Sequence, residues 1–107
     1  MNWEDVLNKL ETGELRSANK VDGKWVANTE VKQAILAAFK AGELIEFSET
    51  GHKGFVDKHN LAARMFSPAD KVRMVPGGSS VRRGSHVAPG VIIMPPAYVN
   101  VGAFVDT

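Results

Sequence analysis

The chain contains no cysteine, which excludes disulfides and thiolate metal sites and says little about compartment. It carries almost no charge excess, with a formal net charge of +1 at pH 7. No strong field invites nucleic acid or an anionic membrane surface. No apolar run approaches the roughly 20 residues of a membrane-crossing helix. The opening Met1-Asn2-Trp3-Glu4-Asp5 lacks a basic stretch of the kind that begins a secretory signal. A cytoplasmic location is therefore the expectation. Glycine-rich phosphate loops, the G-x-S-x-G elbow and paired-carboxylate patterns are also missing. At 107 residues the chain suffices for one small domain, whose folding buries about 60–70% of the extended surface.

Proline and charge are scarce in opposite parts of the chain. Before Pro76 the only proline is Pro68, and from Val72 onward the only charged residues are Arg73, Arg82, Arg83 and Asp106. Two architectures share one chain, with a boundary near residues 68–74. We expect an α+β cap over 1–70 and a different structure over 71–107.

That second part reads in sixes: VPGGSS, VRRGSH, VAPGVI, IMPPAY, VNVGAF, VDT. The first position of each is Val75, Val81, Val87, Ile93, Val99 or Val105. The fourth is Gly78, Gly84, Gly90, Pro96 or Gly102. The fifth is small or β-branched: Ser79, Ser85, Val91, Ala97, Ala103. A fixed period of six with an aliphatic anchor and a turn former is the pattern of a parallel β-helix built from hexapeptides. Each six makes a short strand and a corner. The anchor points inward, and the glycine or proline takes the corner. Pro89, Pro95 and Pro96 argue against a helix or a central antiparallel strand.

In the first part, Asn2 is placed to cap a helix carrying Trp3, Val6, Leu7 and Leu10 on one face, with Gly13 as its stop. Leu15 to Val21 reads as a strand, Asp22-Gly23 as a hairpin turn, and Lys24 to Ala27 as the return strand. Asn28 or Thr29 caps a second helix with Val31, Ile35, Leu36 and Phe39 apolar and Gly42 at its end. Leu44 to Phe47 alternates as a strand would, Ser48 to Gly54 reads as a polar loop, and Phe55 to Lys58 as another short strand. Asn60 to Phe66 allows a helical turn without requiring one.

Few residues point to chemistry. His52, His59 and His86 are the only imidazoles. They are scattered, and only His86 lies in the repeats, where a solvated side chain beside a corner is expected; no metal site is expected. Arg82-Arg83 reads as a solvated face. Ser79, Ser80 and Ser85 lack a neighbouring base. Arg73 stands out because it interrupts the apolar run Val72-Arg73-Met74-Val75. An arginine is rarely buried unpaired. It could hold a ligand carboxylate bidentately or pair with an acidic residue of the cap, and both readings stand.

Several stretches together resemble the N-terminal portion of tetrahydrodipicolinate N-succinyltransferases. Gly13-Glu14-Leu15-Arg16 followed by Val21-Asp22-Gly23-Lys24-Trp25-Val26 resembles a G-x-L-R…D-G-x-W-V hairpin, and Val31 to Leu36 resembles the family's next helix. Val72-Arg73-Met74-Val75-Pro76 resembles R-V-V-P. Met94 to Asp106 resembles M-P-S-Y-V-N-I-G-A-Y-V-D, with one extra residue between the proline and the tyrosine. The resemblance covers nearly the whole chain, though family members open with a longer helical stretch and continue well past Thr107.

The resemblance implies a left-handed β-helix, a homotrimer for the complete protein, and succinyl-CoA as co-substrate with no tightly bound cofactor. It implies succinyl transfer to a small dicarboxylate, 2-amino-6-oxopimelate, in lysine and diaminopimelate synthesis. Arg73 matches the arginine that holds a substrate carboxylate. The family's catalytic aspartate lies in a later G-T-M-V-D run, so Asp106 is not its counterpart, and catalytic residues are expected beyond Thr107. The 107 residues alone are then expected to be inactive. The alternatives are a non-catalytic assembly or folding module and another hexapeptide acyltransferase.

Overall fold

The structure, a computed structural model, describes residues 2–49 and 52–107. Asn2 begins the first helix as expected. Its side chain accepts the Glu4 N–H at 2.7 Å, and α1 runs Trp3–Thr12. Gly13 ends it at φ 87, in the left-handed region that glycine enters freely. Val6, Leu7 and Leu10 are buried on one face. The hairpin β1 (Ala18–Val21) and β2 (Lys24–Ala27) turns through Asp22 and Gly23, at φ 50 and 79. Two consecutive positive φ values are what a two-residue hairpin needs to match strand twist. The strand starts later than expected because Leu15 packs against the helical core, and Ser17 donates its hydroxyl to the Gly102 carbonyl at 2.7 Å.

The second helix, α2 (Thr29–Ala41), is capped by Asn28, whose side chain accepts the Val31 N–H at 3.4 Å. Its buried residues are Val31, Ala34 and Ala38. Small alanines at the contact let α2 approach α1 closely, so Leu36, expected on the apolar face, is left 56% exposed. Strands β3 (Leu44–Glu49) and β4 (His52–Lys58) form a second antiparallel hairpin. The polar loop expected over 48–54 is therefore mostly strand, because its polar residues sit on a two-stranded ribbon; Thr50 and Gly51 at its centre lie outside the described residues.

A 3₁₀ turn at His59–Leu61 follows, then an extended run in which Ala63 lies antiparallel to Arg82 and the Arg64 N–H donates to the Val81 carbonyl at 2.6 Å. A helical turn thus occupies only the start of Asn60 to Phe66. Pro68–Asp70 forms a second 3₁₀ turn, closed by the Asp70 carboxylate accepting the Ser67 N–H at 2.8 Å.

The last third contains six two-residue strands: β5 (Arg73–Met74), β6 (Ser80–Val81), β7 (His86–Val87), β8 (Ile92–Ile93), β9 (Tyr98–Val99) and β10 (Phe104–Val105). All three pairings are parallel: β5 with β8, β6 with β9, β7 with β10. Val81 lies opposite Val99 and Val87 opposite Val105, the register expected of stacked sixes. The first anchor differs. Met74, rather than Val75, lies opposite Ile93. The Val75-Pro76-Gly77-Gly78 stretch thus takes up one residue more than the other corners. Gly78, Gly84, Gly90 and Gly102 have φ values of 97, 84, 92 and 85.

Two apolar clusters hold the chain together. One joins α1, α2 and Leu61, with Leu15 and Val101 against it. The other joins Val81, Val87 and Ile93, with Met74, Ala97, Val99 and Val105 around them. The first cluster reaches the repeats at Gly84, where a Cβ would stand 2.6 Å from Leu7 and 2.8 Å from Val101. Helix α1 is docked onto that corner by backbone contact only a hydrogen side chain permits. The Glu11 carboxylate accepts the Gly84 N–H there at 2.8 Å.

Candidate functional site

Arg73 sits on β5, where its backbone N–H donates to the Val91 carbonyl at 3.0 Å. Its side chain is exposed and makes no ion pair among the described residues. Pairing with an acidic residue of the first part, one of the two readings of the sequence, is not found among the described residues. An exposed, uncompensated guanidinium beside the β5–β8 ladder keeps its planar fork available to a carboxylate.

The histidines do not gather, and among the described residues no three His, Asp or Glu side chains converge on one point. The side chain of His52 lies outside what the structure describes. His59 accepts the Glu43 N–H through Nδ1 at 3.1 Å. His86, expected to be solvated, is half-buried instead. Its ring lies 4.4 Å from that of Phe104, and its Nδ1 is 2.9 Å from the Glu11 carbonyl, so Nδ1 carries the proton. Neighbouring α1 covers this corner of the repeats, which sequence alone did not reveal.

Arg82 and Arg83 are likewise not a solvated face. Arg82 reaches the Asp57 carboxylate through Nη2, donates Nε–H to the Leu61 carbonyl at 3.1 Å, and lies 5.0 Å over Phe39. Arg83 donates to the Asn60 carbonyl at 3.2 Å. The Asp57 carboxyl is held below its ordinary value. Burial alone would raise it, but the Lys58 N–H and the Arg82 guanidinium outweigh that. Arg64 pairs with Glu11 at 3.6 Å and donates to the Ser85 carbonyl at 2.7 Å. A cleft of about 390 Å³ opens between Glu11, His59, Arg64 and Arg83.

Arg16 differs from these. Its guanidinium carbon lies 3.8 Å from the centre of the Phe104 ring and 5.4 Å from that of Trp25. Its Nε is buried and has no acceptor among the described residues. The sequence reading placed Arg16 only within the Gly13–Arg16 match. The signal that singles it out, an aromatic from each half of the chain at one guanidinium, exists only in three dimensions.

Comparison with known proteins joins these observations. A family model described as the N-terminal region of tetrahydrodipicolinate N-succinyltransferase matches residues 3–41, the stretch of α1, the first hairpin and α2. A 2,3,4,5-tetrahydropyridine-2,6-dicarboxylate N-succinyltransferase of Acinetobacter baylyi is 39% identical over 108 aligned residues, covering 96% of this chain and 38% of the relative. The proteins of that name from Psychrobacter sp. and Nitrosomonas europaea are 40% and 39% identical, each over 92% of this chain. The chain thus spans less than two fifths of the length of the curated relatives it matches. The chain is thus similar along nearly its whole length to the N-terminal portion of proteins named for tetrahydropyridine-dicarboxylate N-succinyl transfer, and at its helices and first hairpin to the family model.

Proposed function

We propose that the chain forms the N-terminal part of an enzyme that moves a succinyl group from succinyl-CoA to the amine of tetrahydrodipicolinate in its open 2-amino-6-oxopimelate form. The reaction belongs to lysine and diaminopimelate synthesis. The observation that carries the reading is the 36–40% identity, across nearly the whole chain, to proteins named for that transfer. In this reading residues 1–70 are an α+β domain and 71–107 are the opening coils of a left-handed parallel β-helix. Three parallel ladders, two with partners eighteen residues apart, support the coils. The complete enzyme is a homotrimer in the cytoplasm, uses succinyl-CoA as co-substrate, and holds no cofactor tightly. No helix among the described residues is long and apolar enough to cross a membrane.

Arg73 binds one carboxylate of the dicarboxylic acceptor. Its exposure and its lack of an ion pair among the described residues support that role. Positioning of the amine against the thioester is then the main catalytic device available to this part of the protein. The acid–base groups lie outside residues 1–107, so these residues alone do not turn over.

Two measurements test the reading. Titration with 2-aminopimelate, a stable dicarboxylate of the same length, should show binding that weakens at least tenfold in Arg73→Lys while circular dichroism stays unchanged. In a full-length relative, the matching substitution should weaken the acceptor more than succinyl-CoA. Equal damage to both substrates would refute the assignment of Arg73. Thiol release from succinyl-CoA by the 107 residues, at the rate of a full-length relative, would refute the placement of the acid–base groups.

A further inference from the structure

We propose that Arg16 is a second oxyanion receptor, built to take a carboxylate or phosphate group at a place separate from Arg73. The other half-buried arginines direct donors at named acceptors: Arg64 at Glu11 and Ser85, Arg82 at Asp57, Leu61 and Asn100, Arg83 at Asn60. Arg16 has the same fork of five N–H donors and directs none of them at an acceptor among the described residues. Both ion pairs among the described residues involve other arginines, so its charge is uncompensated.

Its surroundings favour an anion. The rings of Phe104 and Trp25 hold the guanidinium by their π faces, which fixes its position without engaging its hydrogen-bonding edges. Its Nε is out of contact with solvent, and a partly desolvated cation gains more from a charge-assisted hydrogen bond than a solvated one. A buried donor with no acceptor is rare in folded proteins and calls for an explanation. A planar, doubly accepting oxyanion answers all three features.

The site is distinct from Arg73. Phe104 belongs to the β7–β10 ladder and Arg73 to the β5–β8 ladder. The oxyanion has two possible sources, a free small anion or an acidic side chain of a second copy of the chain.

The test observes Arg16 directly. In the ¹⁵N-labelled 107-residue chain, the Arg16 Nε–H resonance, assigned by its loss in Arg16→Gln, is followed while succinate or inorganic phosphate is added at constant ionic strength. A saturable shift toward the hydrogen-bonded position identifies a free anion. A shift that instead follows protein concentration, with no anion added, identifies a second copy as the source. Trp25 emission, isolated by Trp3→Phe, should change with the same midpoint. That midpoint should weaken at least tenfold in Arg16→Lys and stay put in Arg73→Gln. A resonance that moves with neither anion nor protein concentration overturns the proposal, as does a Trp25 response that survives Arg16→Gln.

Discussion

Arg82 ties three separate stretches together with one side chain. It joins Asp57 on β4, the Leu61 carbonyl in the 3₁₀ turn and Asn100 beyond β9, and its side chain is only 12% exposed. Lysine carries the charge without the fork and can serve only part of this set. Arg82→Lys should therefore lower stability by about 1–3 kcal/mol, read as a shift in urea midpoint. A change within error would show the contacts to be incidental. The Asp57 carboxyl at the other end is depressed below 3.8. A carboxyl depressed on folding contributes stability above its unfolded value and loses it as pH falls through the folded one. Asp57→Asn should therefore be less stable than the parent above about pH 5, with the difference shrinking from about pH 4 downward. Parallel pH profiles for the two proteins would rule this out. None of this was legible from Arg82-Arg83 as a pair of letters. Two adjacent arginines in a repeat read as solvated unless one knows that residues 57–64 lie across them.

At the scale of elements, local chemistry carried the reading well. Asn2, Gly13, Asn28 and Asp22-Gly23 each impose a backbone choice within four residues, and each stands where expected. The sixes fixed which residues form short parallel strands, with Met74 displacing Val75 at the first anchor. What the period could not disclose was which corner α1 would cover. Gly84 supplies a test. A side chain there meets both a φ of 84 and the atoms of Leu7 and Val101, whereas Gly90, at φ 92, has open space around it. Gly84→Ala should cost about 2–4 kcal/mol, combining backbone strain with overpacking. Gly90→Ala should cost about 1 kcal/mol from the backbone alone. Thermal melts of the two variants decide the matter, and equal losses would mean that α1 does not dock as described. The candidate sites were legible to different degrees. Arg73 could be singled out because it breaks an apolar run, while Arg16 gave no such sign.

The whole molecule is drawn out, with extents of 48 × 33 × 22 Å and a radius of gyration of 14.6 Å, against about 13 Å for a typical fold of this length. Its surface carries Leu44, Val56, Ile92, Met94 and Tyr98, each at least half exposed. Both hairpins are two-stranded, and such ribbons are marginal without a neighbour. Strands β8, β9 and β10 each pair on one side only, which leaves backbone groups open to another strand. The 107 residues are therefore expected to self-associate at micromolar concentration, with Met94→Lys and Tyr98→Lys together lowering the mass seen by light scattering. A monodisperse monomer would contradict that expectation.

The contact between α1 and the Gly84 corner also sets an order in time. Glu11 meets Gly84 and His86 across more than seventy intervening residues, and Ser17 meets Gly102 across more than eighty. The contact of α1 with this corner thus cannot form until residues 84–86 have been synthesised, whereas its packing against α2 and Leu61 can form earlier. Closing so long a loop is slow compared with forming any hairpin or single coil. Val6, Leu7 and Leu10 can be partly covered by α2 and Leu61 before the repeats exist, and the docking of the Gly84 corner onto α1 is expected to be the last and slowest event of folding.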